Sequence, residues 1–175
     1  MAGSKYSSIQ YLDVAKERAE KELKFTVECK NTGRVYVYDL SEKSYSMDFR
    51  EILSVVAWAL YCRRNKMGHL SRISIIGILP KFFNFLRQVL IFRIEHLSGD
   101  SLRHFAEWLK KDPELSYSTA GSLYRKLSPI FVQMSAHDKV DDGFVPVRNA
   151  FPKSSELVSA CNGYDQLELK SIVSA

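Results

Sequence analysis

Apolar positions along the chain change period twice, and the changes divide it into elements. Residues 11–23, "YLDVAKERAEKEL", alternate charge with a thin apolar stripe and predict a short amphipathic helix. Two runs of strand formers follow, at about 25–30 and 34–39, holding Thr26, Val27, Val35, Tyr36, Val37 and Tyr38. Asn31 to Gly33 between them supply the positive-φ residues of a tight turn, so the pair predicts a β-hairpin. A hairpin alone is marginal in water and must pack on helices or pair with a further strand.

From Asp48 onward the period is helical. Asp48 is the expected N-cap of a helix with Ile52, Leu53, Val56, Leu60 and Tyr61 on one face, ending before Gly68. Ser71 is the expected N-cap of the next, whose stripe is Ile75, Leu79, Phe82, Phe83 and Leu86; Pro80 should kink or break it near Ile76. A third helix places Leu102, Phe105, Ala106 and Leu109 inward and stops at Pro113. A fourth turns Leu123, Leu127, Ile130 and Met134 inward. Ser118, Ser122, Arg125 and Pro129 then form a stripe well away from that face, with Lys126 on the flank. The stretch "HDKVDDGFVPVRNAFPKSSE" lacks a helical period and reads as a loop passing into a linker. Residues 163–175, with Asp165 as cap and Leu169, Ile172 and Val173 apolar, read as the opening of one more helix.

At 175 residues, 46% hydrophobic and 12% aromatic, the chain supports one domain with a real core. Cys29, Cys62 and Cys161 are odd in number, far apart and outside any metal-binding spacing, which points to reduced thiols and a cytoplasmic setting. The first twenty residues are polar and charged, unlike a signal peptide. The uncharged run "ILSVVAWALYC" is too short for the about 20 apolar residues of a membrane span.

Charge changes the picture more than composition does. The total is +5, yet no acidic residue lies between Glu51 and Glu95. That block carries Arg63, Arg64, Lys66, Arg72, Lys81, Arg87 and Arg93, seven positive charges that leave the rest of the chain at −2. A one-sign block makes a positive field, and a phosphate backbone is its commonest macromolecular partner. Arg63, Arg64 and Lys66 at a helix carboxyl end also suit the helix dipole without any ligand.

Candidate catalytic chemistry is thin. Asp138, Asp141 and Asp142 fit a solvated turn, and His69, His96, His104 and His137 have no evident partners, His104 reading as structural beside the core. No phosphate loop and no metal-ligand spacing is present, so no cofactor, no metal and no catalytic residue is assigned. DNA binding has more behind it. The fourth helix opens with Tyr117, Ser118 and Thr119, whose backbone N–H groups suit a phosphate oxygen, and Ser122, Arg125 and Lys126 follow on the exposed side. The second helix of the unit starts similarly with Ser71, Arg72 and Ser74. The plainer reading makes Ser71, Ser116 and Ser118 ordinary N-caps and Arg125 a surface residue.

In order, "LSRISIIGILPKFFNFL" and "LSGDSLRHFAEWLKKDPELSYSTAGSLYRKLSPIFVQM" resemble the amino-terminal core-binding domain of the tyrosine recombinases, the phage-integrase family. "VRNAFP" resembles that domain's exit, "YDQLELKSIVSA" the segment that opens the catalytic domain, and "VYVYDLSEKSYSMDF" a short β preface. Pro80 and Pro129 inside helices, and Ala150 where Pro is frequent, depart from the pattern. The resemblance implies a mainly α, four-helix SAM-like core-binding bundle over 47–143. A helix and β-hairpin preface would occupy 1–46, with a linker and the first helix of a truncated catalytic domain over 144–175. It also implies that the family's catalytic residues lie beyond Ala175, and that this domain clamps duplex DNA and self-associates on it, with no membrane role. The DNA-facing positions it implies are Ser71, Arg72, Ser118, Thr119, Ser122, Arg125 and Lys126, joined by Arg63, Arg64 and Lys66 from the basic block. Five to seven phosphate contacts would cost on the order of a thousandfold in affinity over a fourfold rise in salt. The alternatives are a helical protein-interaction module with a basic docking face, and a small enzyme whose site is invisible in sequence.

Overall fold

The structure, a computed structural model, describes residues 5–153. Cys161 and the helix expected over 163–175 lie outside them. The fold is mainly helical with one small antiparallel sheet. Its elements are α1 (Lys5–Glu22), β1 (Lys24–Glu28), β2 (Val35–Asp39), α2 (Arg50–Cys62), α3 (His69–Gln88), α4 (Gly99–Lys111) and α5 (Tyr117–Met134).

The chain passes from α1 into β1 through one residue, Leu23, which is buried with φ of 56°. β1 and β2 pair from Lys24↔Asp39 to Glu28↔Val35. Cys29 and Arg34 close the hairpin, Cys29 N–H donating to Arg34 O at 2.8 Å, and Gly33 alone in the turn takes positive φ, at 64°. One face of the hairpin is buried through Phe25, Val27 and Tyr38, while Val35 and Val37 face outward.

α2 is the most enclosed helix, with Ile52, Leu53, Val55, Val56, Ala59 and Leu60 all buried between α1, β1 and α5. Asp48 does not cap it. Phe49 holds the N-cap position, and the Asp48 carboxylate pairs with Arg87 at 2.8 Å. α3, α4 and α5 meet in an aromatic cluster: Phe82 lies 5.1 Å from Phe105 and 4.9 Å from Phe131, ring centre to ring centre. α3 runs unbroken through Pro80 because the proline is on the solvent side, where the carbonyl that loses its N–H partner is not trapped in the core. α5 begins as expected, with Ser116 Oγ accepting from Thr119 N–H at 3.1 Å. Residues 144–153 pack back onto α5. Phe144 and Phe151 are buried, and a Cβ at Gly121 would meet Phe151 at 3.1 Å, so glycine is what lets that segment come so close.

Candidate functional site

α2 ends at Cys62, and the turn that follows is tightened by Arg64 N–H donating to Tyr61 O at 3.0 Å and Lys66 N–H to Arg63 O at 2.8 Å. This corner lays Arg63, Lys66 and Met67 beside Leu70, Ser71, Ser74 and Ile75 of α3. Across from them stand Arg125, Lys126 and Pro129 of α5, and together these residues line a groove of about 440 Å³. The helical period puts them there: Arg125 and Pro129 share the α5 stripe opposite its core face, and Ser71 and Ser74 are one turn apart on α3. Lys126 Nζ donates to Ser74 Oγ at 3.2 Å, tying the two walls.

No carboxylate is among the described residues that line the groove, and Arg63, Lys66, Arg125 and Lys126 form no ion pair with any described residue. The Arg63 Nε is buried without a hydrogen-bond partner among the described residues. Elsewhere the basic block is neutralised by acids the sequence places outside it or at its edge. Lys81 pairs with Asp112 at 2.8 Å and Glu114 at 3.8 Å, Arg87 with Asp48, and Arg93 with Glu95 at 3.1 Å. The Lys81 ammonium accordingly holds the Asp112 carboxyl below its ordinary range. The positive surface is therefore narrower than the sequence block.

Five of the ten expected DNA-facing residues meet in this groove: Arg63, Lys66, Ser71, Arg125 and Lys126. Arg72 does not. It is 4% exposed, and its guanidinium is turned inward: Nε donates to the Tyr38 hydroxyl at 2.8 Å and Nη1 to the carbonyls of Arg64 at 2.9 Å and Met67 at 2.6 Å. It holds the corner rather than facing solvent. Arg64 lies over the Tyr61 ring, 4.2 Å from its centre, on the hairpin side of the corner. Ser118 and Thr119 are exposed and Ser122 half-buried at the amino end of α5, beyond the groove. The Thr119 amide expected for a phosphate is taken by the Ser116 cap. Ser71 is not an N-cap either, since α3 starts at His69 after Gly68.

The groove also has an apolar floor, which the charge pattern does not announce. Met67, Leu70, Ile75 and Pro129 lie between the cations, and Leu70 is 81% exposed. Its signal in the sequence is an apolar residue off the core stripe at a helix start.

Three histidines have partners among the described residues, His96 only an exposed one, Glu95 at 3.9 Å from its Nε2. His69 Nδ1 and the Tyr38 hydroxyl share a hydrogen bond at 2.8 Å, and the His69 ring stacks on Tyr36 at 3.8 Å. His137 is buried against Trp58, its Nε2 3.3 Å from Glu20. His104, expected beside the core, is exposed because Phe105 and Ala106 take the inward face of α4. Among the described residues no group of His, Cys, Asp and Glu is placed to hold a metal ion, and no helix is long and apolar enough to cross a membrane. Compared with known proteins, the chain matches no protein-family model, no curated protein and no solved structure.

Proposed function

We propose that this chain binds duplex DNA through its phosphate backbone, as the core-binding part of a site-specific tyrosine recombinase whose catalytic domain lies outside these residues. The helical unit then reads as the family's four-helix SAM-like bundle, a cytoplasmic clamp half that positions a strand-cutting domain and cuts nothing itself. One observation carries this reading. Arg63 and Lys66 come from the turn after α2 and Arg125 and Lys126 from α5, about 60 residues further on, yet they converge on one groove with no carboxylate among its described lining residues. Four such cations engaged with phosphates give a slope of log affinity against log salt of about −3.6, a loss on the order of a hundredfold over a fourfold rise in salt. Fluorescence anisotropy with a labelled duplex at several salt concentrations tests the reading. A steep linear fall supports it, and no binding at low salt overturns it.

The apolar floor favours a second reading, a groove for an acidic amphipathic helix with leucines on Met67, Leu70, Ile75 and Pro129 and carboxylates on the rim. A synthetic Glu/Leu amphipathic peptide separates the two. Under the second reading it binds saturably and Leu70→Ala abolishes the binding, whereas under the first Leu70→Ala leaves the salt slope of DNA binding unchanged.

A further inference from the structure

A second groove, of about 410 Å³, opens on the other side of the same corner. Its walls are the hairpin tip, with Cys29, Lys30 and Asn31, and the turn carrying Arg64, Asn65 and Lys66. Gly68 and His69, at the start of α3, complete it, and Lys66 and Met67 border both grooves. The chemistry facing it is one-sided: Lys30, Arg64 and Lys66 carry charge, Asn31 and Asn65 offer amides, and Glu28 is the one carboxylate among the described lining residues. α3 is a long helix whose positive amino end begins at this edge, and a side chain placed at Gly68 would meet nothing within 4 Å, so a ligand can approach that backbone closely. The hairpin is held in place rather than hanging free. Tyr36 stacks on His69, and Tyr38 bridges His69 and Arg72.

We infer that this second groove binds the sugar-phosphate backbone of the same duplex, so that the hairpin tip is part of the DNA interface and Lys66 sits where the two grooves join. The inference rests on the DNA-binding reading above and extends it to residues that neither the resemblance nor the basic block singled out, Lys30 and Asn31. Lys30 and Arg64 face the phosphates where the inward-turned Arg72 does not. The four cations of the first groove together with Lys30 and Arg64 make six, a slope of about −5.4.

Lys30→Ala tests it, because Lys30 is exposed in the hairpin turn and its removal disturbs no buried group. On a duplex long enough to span both grooves, the salt slope should fall by about one and affinity in 0.1 M salt should weaken about eightfold. A duplex too short to leave the first groove should bind wild type and variant alike. Cys29 supplies an independent readout. The Thr32 side chain and the backbone of Asn31 and Thr32 push its thiol down from its ordinary value, and it lines the groove, so alkylation mapped to its peptide should slow when the long duplex is bound. If wild type binds DNA while Lys30→Ala leaves the slope intact and Cys29 reacts at its free rate, the second groove is refuted and the first reading stands. If wild type binds no duplex at all, both fall together.

Discussion

Arg72 Nε donates to the Tyr38 hydroxyl at 2.8 Å, joining α3 to β2 across 34 residues of sequence. The same guanidinium ties down the carbonyls of Arg64 and Met67. One buried cation thus fixes the hairpin, the end of α2 and the start of α3, which wall the second groove, and the same corner forms one side of the first groove opposite α5. Arg72→Ala should cost on the order of 2–3 kcal/mol, because it leaves buried acceptors unsatisfied. Chemical denaturation measures that loss. The salt slope of DNA binding by the folded fraction should not change, as Arg72 contributes no phosphate contact; a slope reduced by one would put Arg72 on the DNA instead.

The Tyr45 hydroxyl is buried with no partner among the described residues, over Phe83 at 4.5 Å between ring centres, and burial pushes it up to about 12. An unsatisfied buried hydroxyl opposes folding, so Tyr45→Phe should raise stability by about 1 kcal/mol. A lower denaturation midpoint for the variant would mean that the hydroxyl has a partner after all.

Acid should loosen α1 from the end of α5. Burial acts to raise the Glu20 carboxyl, but hydrogen bonds from Lys139 at 2.9 Å and from His137 outweigh it and hold the group below its ordinary 4.5. A depressed carboxyl stabilises the fold fully above that ordinary value and stops doing so as pH falls through the lower folded one. Glu20→Gln should therefore melt below wild type near neutral pH, and the gap should close in acid. The partner ammonium of Lys139 is raised by the same contact, so on the alkaline side the contribution is complete below 10.5 and is lost as pH rises through the higher folded value. Melting curves across the pH range check both limbs, and a gap that persists unchanged into acid contradicts the assignment.

Much of the fold was legible because burial follows period. Ile52, Leu53, Val56, Leu60, Ile75, Leu79, Phe82, Phe83 and Leu86 all face inward where the helical spacing put them, and the Ser116 cap and the hairpin are local features written in adjacent residues. What escaped was tertiary. Asp48 has the look of a cap in sequence, but Arg87, 39 residues away, takes its carboxylate. Arg72 has the look of a surface charge because its acceptors, a tyrosine hydroxyl and two carbonyls, leave no charge pattern in sequence. The basic block carries the sign of the field but not its location. Asp112 and Glu114 silence Lys81, while Arg125 and Lys126, from outside the block, complete the groove.

The central claim is most directly tested by removing the α5 charges. Arg125→Ala combined with Lys126→Ala alters two exposed side chains and should leave circular dichroism unchanged. Anisotropy with a labelled duplex across a salt series should then show the slope smaller by about 1.8 and affinity in 0.1 M salt weaker by about sixtyfold. A folded double variant that binds duplex with wild-type affinity and slope would contradict the account.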